Sequence, residues 1–394
     1  MATLDYKATY DISRYGFLQE RRPYIEVTKE KFGDIAHLID NITRDGEAFR
    51  KMCTVVSRVP DVYTILEDDA KVLYSILTMI IHKWVWGCGV DNISHIIPFK
   101  IGYTWWHLCE YWHYPKVLTH ASVDLFNWKF IDDTKEFSLD NITNCHTITG
   151  NHSESWFYLI MVAIEGVGGQ AIKHIMNVYD ELQGGRKIDK ITYEVLQISD
   201  YMNSCVEIIK RNFERFTNGT HKCDPDYFFN KLRIYLSGFN NTTYFPEGGI
   251  KIESMDIKPI NLKGGSAAQS SLIQLFDIFL GIKHPEKHSN DFLKEMRDYM
   301  PMKHKLFLEY CEKLPSLRDF VESQDDHALT SYYSICVERL LSLRRVHIAI
   351  VHTYVMAFVK KDSSTNVNKE KGTGGTDPNV FLKNVIEDTN RAVI

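Results

Sequence analysis

A histidine and an arginine lie one helical turn apart on an otherwise apolar face near the end of the chain. Residues 330–359 contain no Pro or Gly, and apolar residues recur there at i, i+3, i+4 and i+7, which predicts one long helix. Arg344 and His347 are the polar members of its apolar face, and both need partners because burying polar groups unpaired is costly. The pattern by itself favours a structural role for His347. The alternative is an axial ligand to a haem iron.

Three further segments have compositions that suit a ligand site. GGSAAQSS (264–271) leads into an apolar helix, and its glycines let backbone approach a flat ligand. It lacks the lysine and the spacing of a phosphate loop. LRIYLSG (232–238) carries Arg233, which either forms an ordinary salt bridge or binds a ligand carboxylate in bidentate geometry. GTGGTD (372–377) is either a flexible linker or a lid hinged on glycine.

Together with SLRRVH (342–347), these segments resemble the indoleamine 2,3-dioxygenase family, which includes the haem-bearing myoglobins of some molluscs. The resemblance is specific from about residue 156 to residue 382 and weak over the first hundred residues. It implies an all-α protein that binds haem b. The implied partners are O2, L-tryptophan or a related indoleamine, and an external reductant. The implied reaction inserts O2 across the indole C2–C3 bond and yields N-formylkynurenine, the first step of the kynurenine pathway.

The resemblance also implies which residues surround the haem. His347 matches the proximal histidine that binds the iron, and Arg344 with Asp277 matches an ion pair behind the haem. The alternative for Asp277 is a solvated helix residue. The glycine-rich turn matches a segment that lines the pocket, with its serine near a haem propionate: Gly265, Ser266 and Ala267.

On the substrate side, the resemblance implies that Arg233 binds the carboxylate of the amino acid. Phe228, with Phe229 beside it, matches the aromatic side chain that packs on the indole. Thr373 matches a loop threonine that contacts the substrate once the loop closes.

Two positions depart from the vertebrate pattern of the family. His120 stands in place of a pocket tyrosine and Met161 in place of a distal serine, while Phe157 and Tyr158 keep the aromatic pair before it. A thioether cannot donate a hydrogen bond, and methionine is bulky enough to narrow the slot or to approach the iron. His120 is either a distal polar group or a side chain turned elsewhere. Both changes bear on substrate affinity and turnover.

Two hypotheses without catalysis therefore compete with the dioxygenase. Met161 and His120 favour a myoglobin-like oxygen carrier, whereas the retained Arg233, Phe228 and GTGGTD loop oppose it, because oxygen storage needs none of them. A haem sensor is the third hypothesis, and no added domain supports it.

Composition narrows the class of protein. Of 394 residues, 44% are hydrophobic and 25% charged, as in soluble globular proteins, and a net charge of −5 without a basic cluster argues against nucleic acid. Eight cysteines without a C-x-x-C pair argue against a zinc site and a disulfide scaffold. The start of the chain lacks an apolar signal segment, and the apolar run 72–81 is too short to span a bilayer. We expect a cytoplasmic monomer without a membrane partner.

The chain is longer than a usual domain, so we predict two. The polar stretch 132–155 places the boundary near residue 150. Residues 1–150 would form a small, mostly helical domain that caps the distal side. Residues 151–394 would form the helical haem-binding domain, with a mobile loop at 361–377. The predicted helices are 29–59, 61–86, 156–182, 188–217, 226–237, 270–280 with Gly281 as its cap, 290–300, 304–314 and 330–359.

Overall fold

The computed structural model describes residues 5–19, 26–359 and 377–394, and it confirms the all-α class. Helix accounts for 61% of the residues and strand for 4%, so helices form most of the fold. The α-helices are α1 (Tyr6–Tyr10), α2 (Lys29–Phe32), α3 (Asp34–Asp40), α4 (Gly46–Thr54), α5 (Glu67–Trp86), α6 (Phe99–Trp112), α7 (His152–Gly169), α8 (Ile172–Gln183), α9 (Ile188–Lys210), α10 (Pro225–Tyr227), α11 (Ser271–Phe279), α12 (Lys287–Met296), α13 (Met302–Cys311), α14 (Leu317–Ser323), α15 (His327–Val351), α16 (Ala357–Val359) and α17 (Pro378–Asn390).

Shorter turns and strands connect these helices. The π-helical turns are Ala121–Leu125, Phe228–Leu232 and His352–Met356. The 3-10 turns are Leu139–Asn141, Arg211–Phe213, Arg233–Leu236, Ala267–Gln269 and Arg297–Tyr299. Strand β1 (Ile96–Ile97) pairs in parallel with β4 (Lys251–Ile252), and β2 (Trp128–Phe130) pairs antiparallel with β3 (Ile142–Asn144).

The long helix predicted near the C-terminus is the centre of the fold. α15 begins at His327, where the side chain of Asp326 accepts a hydrogen bond from the Leu329 N–H, and the helical path continues through residue 359. It packs most extensively against α9, and α17 lies against it as well. α9 also packs against α7 and α8. The core therefore surrounds the helix that carries Arg344 and His347.

Three predicted helices are wrong in their continuity. Residues 29–59 form α2, α3 and α4, because Gly33 adopts a φ of 61° and its missing side chain leaves room for the Arg58 carbonyl oxygen. Residues 156–182 break between α7 and α8, just after Gly169, where a Cβ would lie 2.3 Å from the Tyr15 carbonyl oxygen. Residues 226–237 change pitch from α to π to 3-10. Gly281, with a φ of 63°, follows α11 in the left-handed conformation, as predicted for the helix end.

The division at residue 150 stays a prediction, and close contacts cross it. β1 and β4 belong to the two different halves. The ring of His82 in α5 lies 2.8 Å, through Nδ1, from the carbonyl oxygen of Tyr235. The two halves are therefore joined beside the turn that carries Arg233.

Within the described residues, His152–Gln183 is long and apolar enough to cross a membrane, with a mean hydropathy of 1.3. This stretch comprises α7 and α8, and 72% of its most apolar window is buried inside the protein. Such burial is what a core helix of a globular protein shows.

Candidate functional site

One cavity gathers residues from distant parts of the chain. It encloses about 1320 Å³ free of protein atoms, its open mouth included, and its walls are mainly apolar. The walls come from the segment after Leu118, from α7, from the turns at 228–236 and 265–268, from α15 with the turn that follows it, and from α17. The predicted site residues on these walls are His120, Phe157, Tyr158, Met161, Phe228, Arg233, Gly265, Ser266, Ala267 and His347.

A second apolar cavity of about 760 Å³ adjoins the first. The two share several wall residues, so they are neighbouring parts of one slot. The shared residues are Met161, Ile209, Ala267, Ala268, His347, Phe381 and Leu382. Asp277 and Arg344 line the second cavity only. His347 and Met161 thus both border the slot at the passage between its two parts.

His347 presents a neutral imidazole to this slot. It is half-buried and makes no hydrogen bond with any residue that the structure describes. Burial, assisted by the nearby positive charge of Arg344, lowers the pKa of His347 to about 4. At neutral pH the ring therefore keeps a lone pair that can bind a metal.

The predicted ion pair between Arg344 and Asp277 is present. One guanidinium nitrogen of Arg344 lies 2.7 Å from each carboxylate oxygen of Asp277, and the arginine also donates to Thr389 in α17. Burial opposes ionisation of Asp277, but Arg344 and His284 outweigh it and hold the pKa of the carboxyl below its ordinary value. The pair fixes α11 and α17 to α15 one turn before His347.

The network extends beyond the predicted pair. His284 lies 3.3 Å from Asp277 through Nε2 and 2.9 Å from Asp388 through Nδ1, and Asp388 pairs with Arg391. Burial alone would lower the pKa of His284, yet hydrogen bonding to Asp277 raises it. His284, Asp388 and Thr389 were not predicted as members of this network, because nothing in their spacing relates them to residues so distant in the chain.

Arg233 and Phe228 lie on the same cavity wall. The guanidinium carbon of Arg233 is 5.5 Å from the ring centroid of Phe229, and burial lowers the pKa of the guanidinium from its usual value. The Phe228 ring centroid lies 4.8 Å from that of Phe157 and 5.6 Å from that of Tyr354. Phe229 does not line the cavity, because its ring stacks on Phe358 at 5.2 Å.

Close packing explains both glycines of the glycine-rich turn. A Cβ on Gly264 would lie 2.0 Å from the Leu236 carbonyl oxygen, so this glycine is needed where two backbone segments cross. The Gly265 N–H donates to that same carbonyl at 3.0 Å, and a Cβ there would press on Leu118 at 3.3 Å. Ser266 accepts a hydrogen bond from the Ala268 N–H and so begins the next turn.

His120 is paired through both ring nitrogens. Nδ1 lies 2.6 Å from Asp124 and Nε2 lies 2.9 Å from Glu165, which also accepts a hydrogen bond from Ser270. Burial disfavours the charged ring, but the two carboxylates raise the pKa of His120 to about 10. The backbone N–H of His120 donates to the side-chain oxygen of Gln269, and the side-chain NH2 of Gln269 donates to the Gly264 carbonyl.

His120 is thus a charged, immobilised part of the wall, held against α7 and the glycine-rich turn. The residues around it that were not predicted from the sequence are Asp124, Glu165, Gln269 and Ser270. The contact with Asp124 was predictable, because an acidic residue four positions after a histidine lies beside it on a helical segment. The predicted loop 361–377, with Thr373, lies outside the described residues except for Asp377.

The residues on these walls fit a haem. Among the described residues His347 has no hydrogen-bond partner, and it stands where two apolar cavities meet. Across residues 5–19, 26–359 and 377–394, no group of three or more His, Cys, Asp or Glu could hold a metal ion by itself. A haem iron can be held by a single protein histidine, and the apolar slot suits the flat porphyrin.

Comparison with known proteins agrees with this geometry. The family model described as Indoleamine 2,3-dioxygenase matches residues 6–392. Indoleamine 2,3-dioxygenase 1 of Mus musculus is 34% identical over 322 residues, which are 79% of this chain and 76% of that protein. Indoleamine 2,3-dioxygenase of Saccharomyces cerevisiae is 29% identical over 428 residues, and a myoglobin of Haliotis madaka is 29% identical over 317 residues.

The yeast alignment covers 95% of this chain and 90% of the yeast protein, and the myoglobin alignment covers 80% and 79%. The match therefore extends through the weakly recognisable first hundred residues as well as the motif-bearing part. The chain belongs to the indoleamine 2,3-dioxygenase family, whose members are haem-dependent dioxygenases of tryptophan and related indoleamines.

Proposed function

We propose that this protein is an active dioxygenase of L-tryptophan or a closely related indoleamine. The reaction inserts both atoms of O2 across the indole C2–C3 bond and yields N-formylkynurenine. One observation carries the proposal: His347 and Arg233 line the same cavity. An iron ligand and a carboxylate ligand that open onto one space suit an amino-acid substrate held beside a haem, whereas oxygen storage needs no carboxylate ligand.

The proximal side would hold the cofactor. His347 would bind the haem iron through its neutral ring, and Ser266 would lie near a propionate. The bound haem supplies the redox chemistry on dioxygen that side chains cannot perform. Arg344 and Asp277, joined by two hydrogen bonds of 2.7 Å, keep the helix of His347 in place.

The opposite walls would hold the substrate. Arg233 binds the carboxylate with its forked guanidinium, and Phe229 beneath it limits its freedom through a cation–π contact of 5.5 Å. Phe228, Phe157 and Tyr158 pack around the indole and exclude water. Gly265 and Ala267 leave the space that a flat ring requires. Thr373 would contact the substrate from the loop.

No side chain in this set needs to act as a base, because the overall reaction consumes no net protons. His120 is poorly suited to that role, since both ring nitrogens are already paired with carboxylates. The protein would therefore position the substrate beside the haem, exclude water from the cavity and provide a positive charge for the carboxylate.

The second candidate function is oxygen carriage, and Met161 is the observation that favours it. Its side chain borders both parts of the slot together with His347, where a bulky thioether reduces the room for an indole. The match to the Haliotis myoglobin is consistent with this alternative. We further propose a cytoplasmic monomer that receives electrons from an external reductant.

The decisive experiment measures N-formylkynurenine produced by haem-loaded protein supplied with L-tryptophan, O2 and a reductant. Product formation that disappears in Arg233→Ala at unchanged haem content supports the dioxygenase. The alternative takes its place if wild type binds haem and O2 reversibly but forms no product. Lys287→Ala, on the exposed face of α12, serves as the control variant.

A further inference from the structure

Two buried polar atoms on the cavity wall have no hydrogen-bond partner among the described residues. They are the hydroxyl oxygen of Tyr158 and the Oδ1 atom of Asp124. Tyr158 is 1% exposed and Asp124 is 4% exposed, and both side chains line the cavity. A buried polar group without a partner is costly, so a pair of them beside a ligand cavity indicates groups that the ligand satisfies.

The Asp124 carboxylate cannot turn away to find another partner. Its Oδ2 atom is 2.6 Å from His120 Nδ1, and the far side of the same ring is held by Glu165 at 2.9 Å. The His120 backbone is anchored in turn to Gln269. Asp124 also lies in the π-helical turn Ala121–Leu125, a local irregularity that often occurs at functional sites. The unpartnered oxygen is therefore a fixed acceptor.

The Tyr158 hydroxyl supplies the complementary group. Burial, with further contributions from the charges of Glu154 and Asp124, raises its pKa well above the ordinary value, so it remains a neutral O–H. Both residues line the same cavity, so one ligand in that space can meet the two groups. One atom can then only accept a hydrogen bond, while the other can both donate and accept.

We propose that Tyr158 and Asp124 form a subsite for a hydroxyl group on the aromatic ring of the substrate, so that the protein prefers a ring-hydroxylated tryptophan to tryptophan itself. This inference rests on the proposed function. Because Arg233 takes the carboxylate, the ring is the part of the substrate left to meet the remaining walls. A hydroxyl donates to Asp124 and accepts from Tyr158 at once. An ammonium group has no lone pair for Tyr158, and a second carboxylate would be repelled by Asp124.

The test compares dissociation constants for L-tryptophan and for its 4-, 5-, 6- and 7-hydroxy derivatives, read from the optical spectrum of the haem-loaded protein. In wild type, one hydroxy isomer should bind about tenfold or more tightly than tryptophan, as expected for a hydrogen bond to a charged group. Tyr158→Phe should remove most of that preference, measured within the variant as the ratio of the dissociation constants for tryptophan and for the hydroxy isomer. Tyr201→Phe, whose ring lies outside this cavity, should leave the preference unchanged.

Asp124→Asn should also reduce the preference for the hydroxy isomer, because it removes the charged acceptor. If Asp124→Asn fails to fold, the result for Tyr158→Phe decides the test. The inference is overturned if no isomer is preferred, or if Tyr158→Phe keeps the wild-type preference. In that case the two atoms hold only water. Turnover of L-tryptophan separates this outcome from failure of the proposed function. Normal turnover without a hydroxyl preference removes the subsite alone, whereas absent binding and turnover of every indole removes the dioxygenase.

Discussion

The buried ion pair behind the slot should respond asymmetrically to removal of its two partners. Asp277→Asn removes the carboxylate that pairs with Arg344 and His284, and so leaves the buried Arg344 without that counter-charge. Arg344→Leu leaves Asp277 still paired with His284. Breaking a buried pair by removing one partner destabilises by about 3–5 kcal/mol, and we assign that range to Asp277→Asn. For Arg344→Leu we expect about 1.5–3 kcal/mol, because the remaining charge keeps a hydrogen-bonded partner.

Urea unfolding of the haem-loaded variants, followed by circular dichroism, measures both differences. The double variant Arg344→Leu with Asp277→Leu should be destabilised by less than the sum of the single changes, since it leaves neither charge unpaired. Lys287→Ala removes the ion pair with Asp291, whose side chains are 88% and 61% exposed. The urea midpoint of this variant should therefore hardly change. Equal losses for the two single variants, or a greater loss for Arg344→Leu, would contradict the charge balance described here.

Four further changes test the site. His347→Ala should abolish stable haem incorporation, and a normal Soret band in that variant would refute the assignment. Arg233→Ala should weaken L-tryptophan binding by about 1.5–3 kcal/mol at unchanged haem content, as measured by optical titration. Met161→Ser should tighten tryptophan binding by widening the slot, and an unchanged dissociation constant would show that the thioether is not limiting. The folded state raises the pKa of His120 from 6.5 to about 10. Its contribution to stability is therefore complete below about pH 6.5 and lost as the pH rises toward 10, so the urea midpoints of wild type and His120→Gln should converge over that range.

The parts of the site that were predictable from sequence are those carried by continuous segments. The helix at 330–359 has a strong period and no helix breaker, and the structure places it as predicted. Arg344 and Asp277 pair as the resemblance to the family implied. The breaks at Gly33 and after Gly169 could not be predicted, since each exists to admit a backbone segment from elsewhere in the chain.

The contacts that define the distal wall were less accessible to sequence reasoning. His120 was recognised as a departure from the family pattern, but its two partners lie on different elements, four and forty-five residues away. Phe229 was assigned to the pocket together with its neighbour. Consecutive side chains on a helical turn point in different directions, and of the two rings Phe228 meets the cavity while Phe229 stacks on Phe358. The sequence does not show which of two adjacent aromatic residues faces a ligand.

Three histidines around the slot show why residue type alone does not assign a role. The ring of His82 accepts the Leu118 N–H at 2.9 Å and donates to the Tyr235 carbonyl at 2.8 Å, and burial lowers its pKa to about 3. It is a neutral brace that joins the segment before His120 to the turn of Arg233.

His120 is equally buried, yet two carboxylates keep it charged, and it serves to immobilise Asp124. His347 makes no hydrogen bond with any described residue, and the charge of Arg344 adds to desolvation in disfavouring its protonation. Of the three, it alone combines a neutral ring with unused hydrogen-bonding capacity at the slot. Desolvation disfavours the charged form of all three rings, so the hydrogen-bond partners of each ring decide which of them can bind iron.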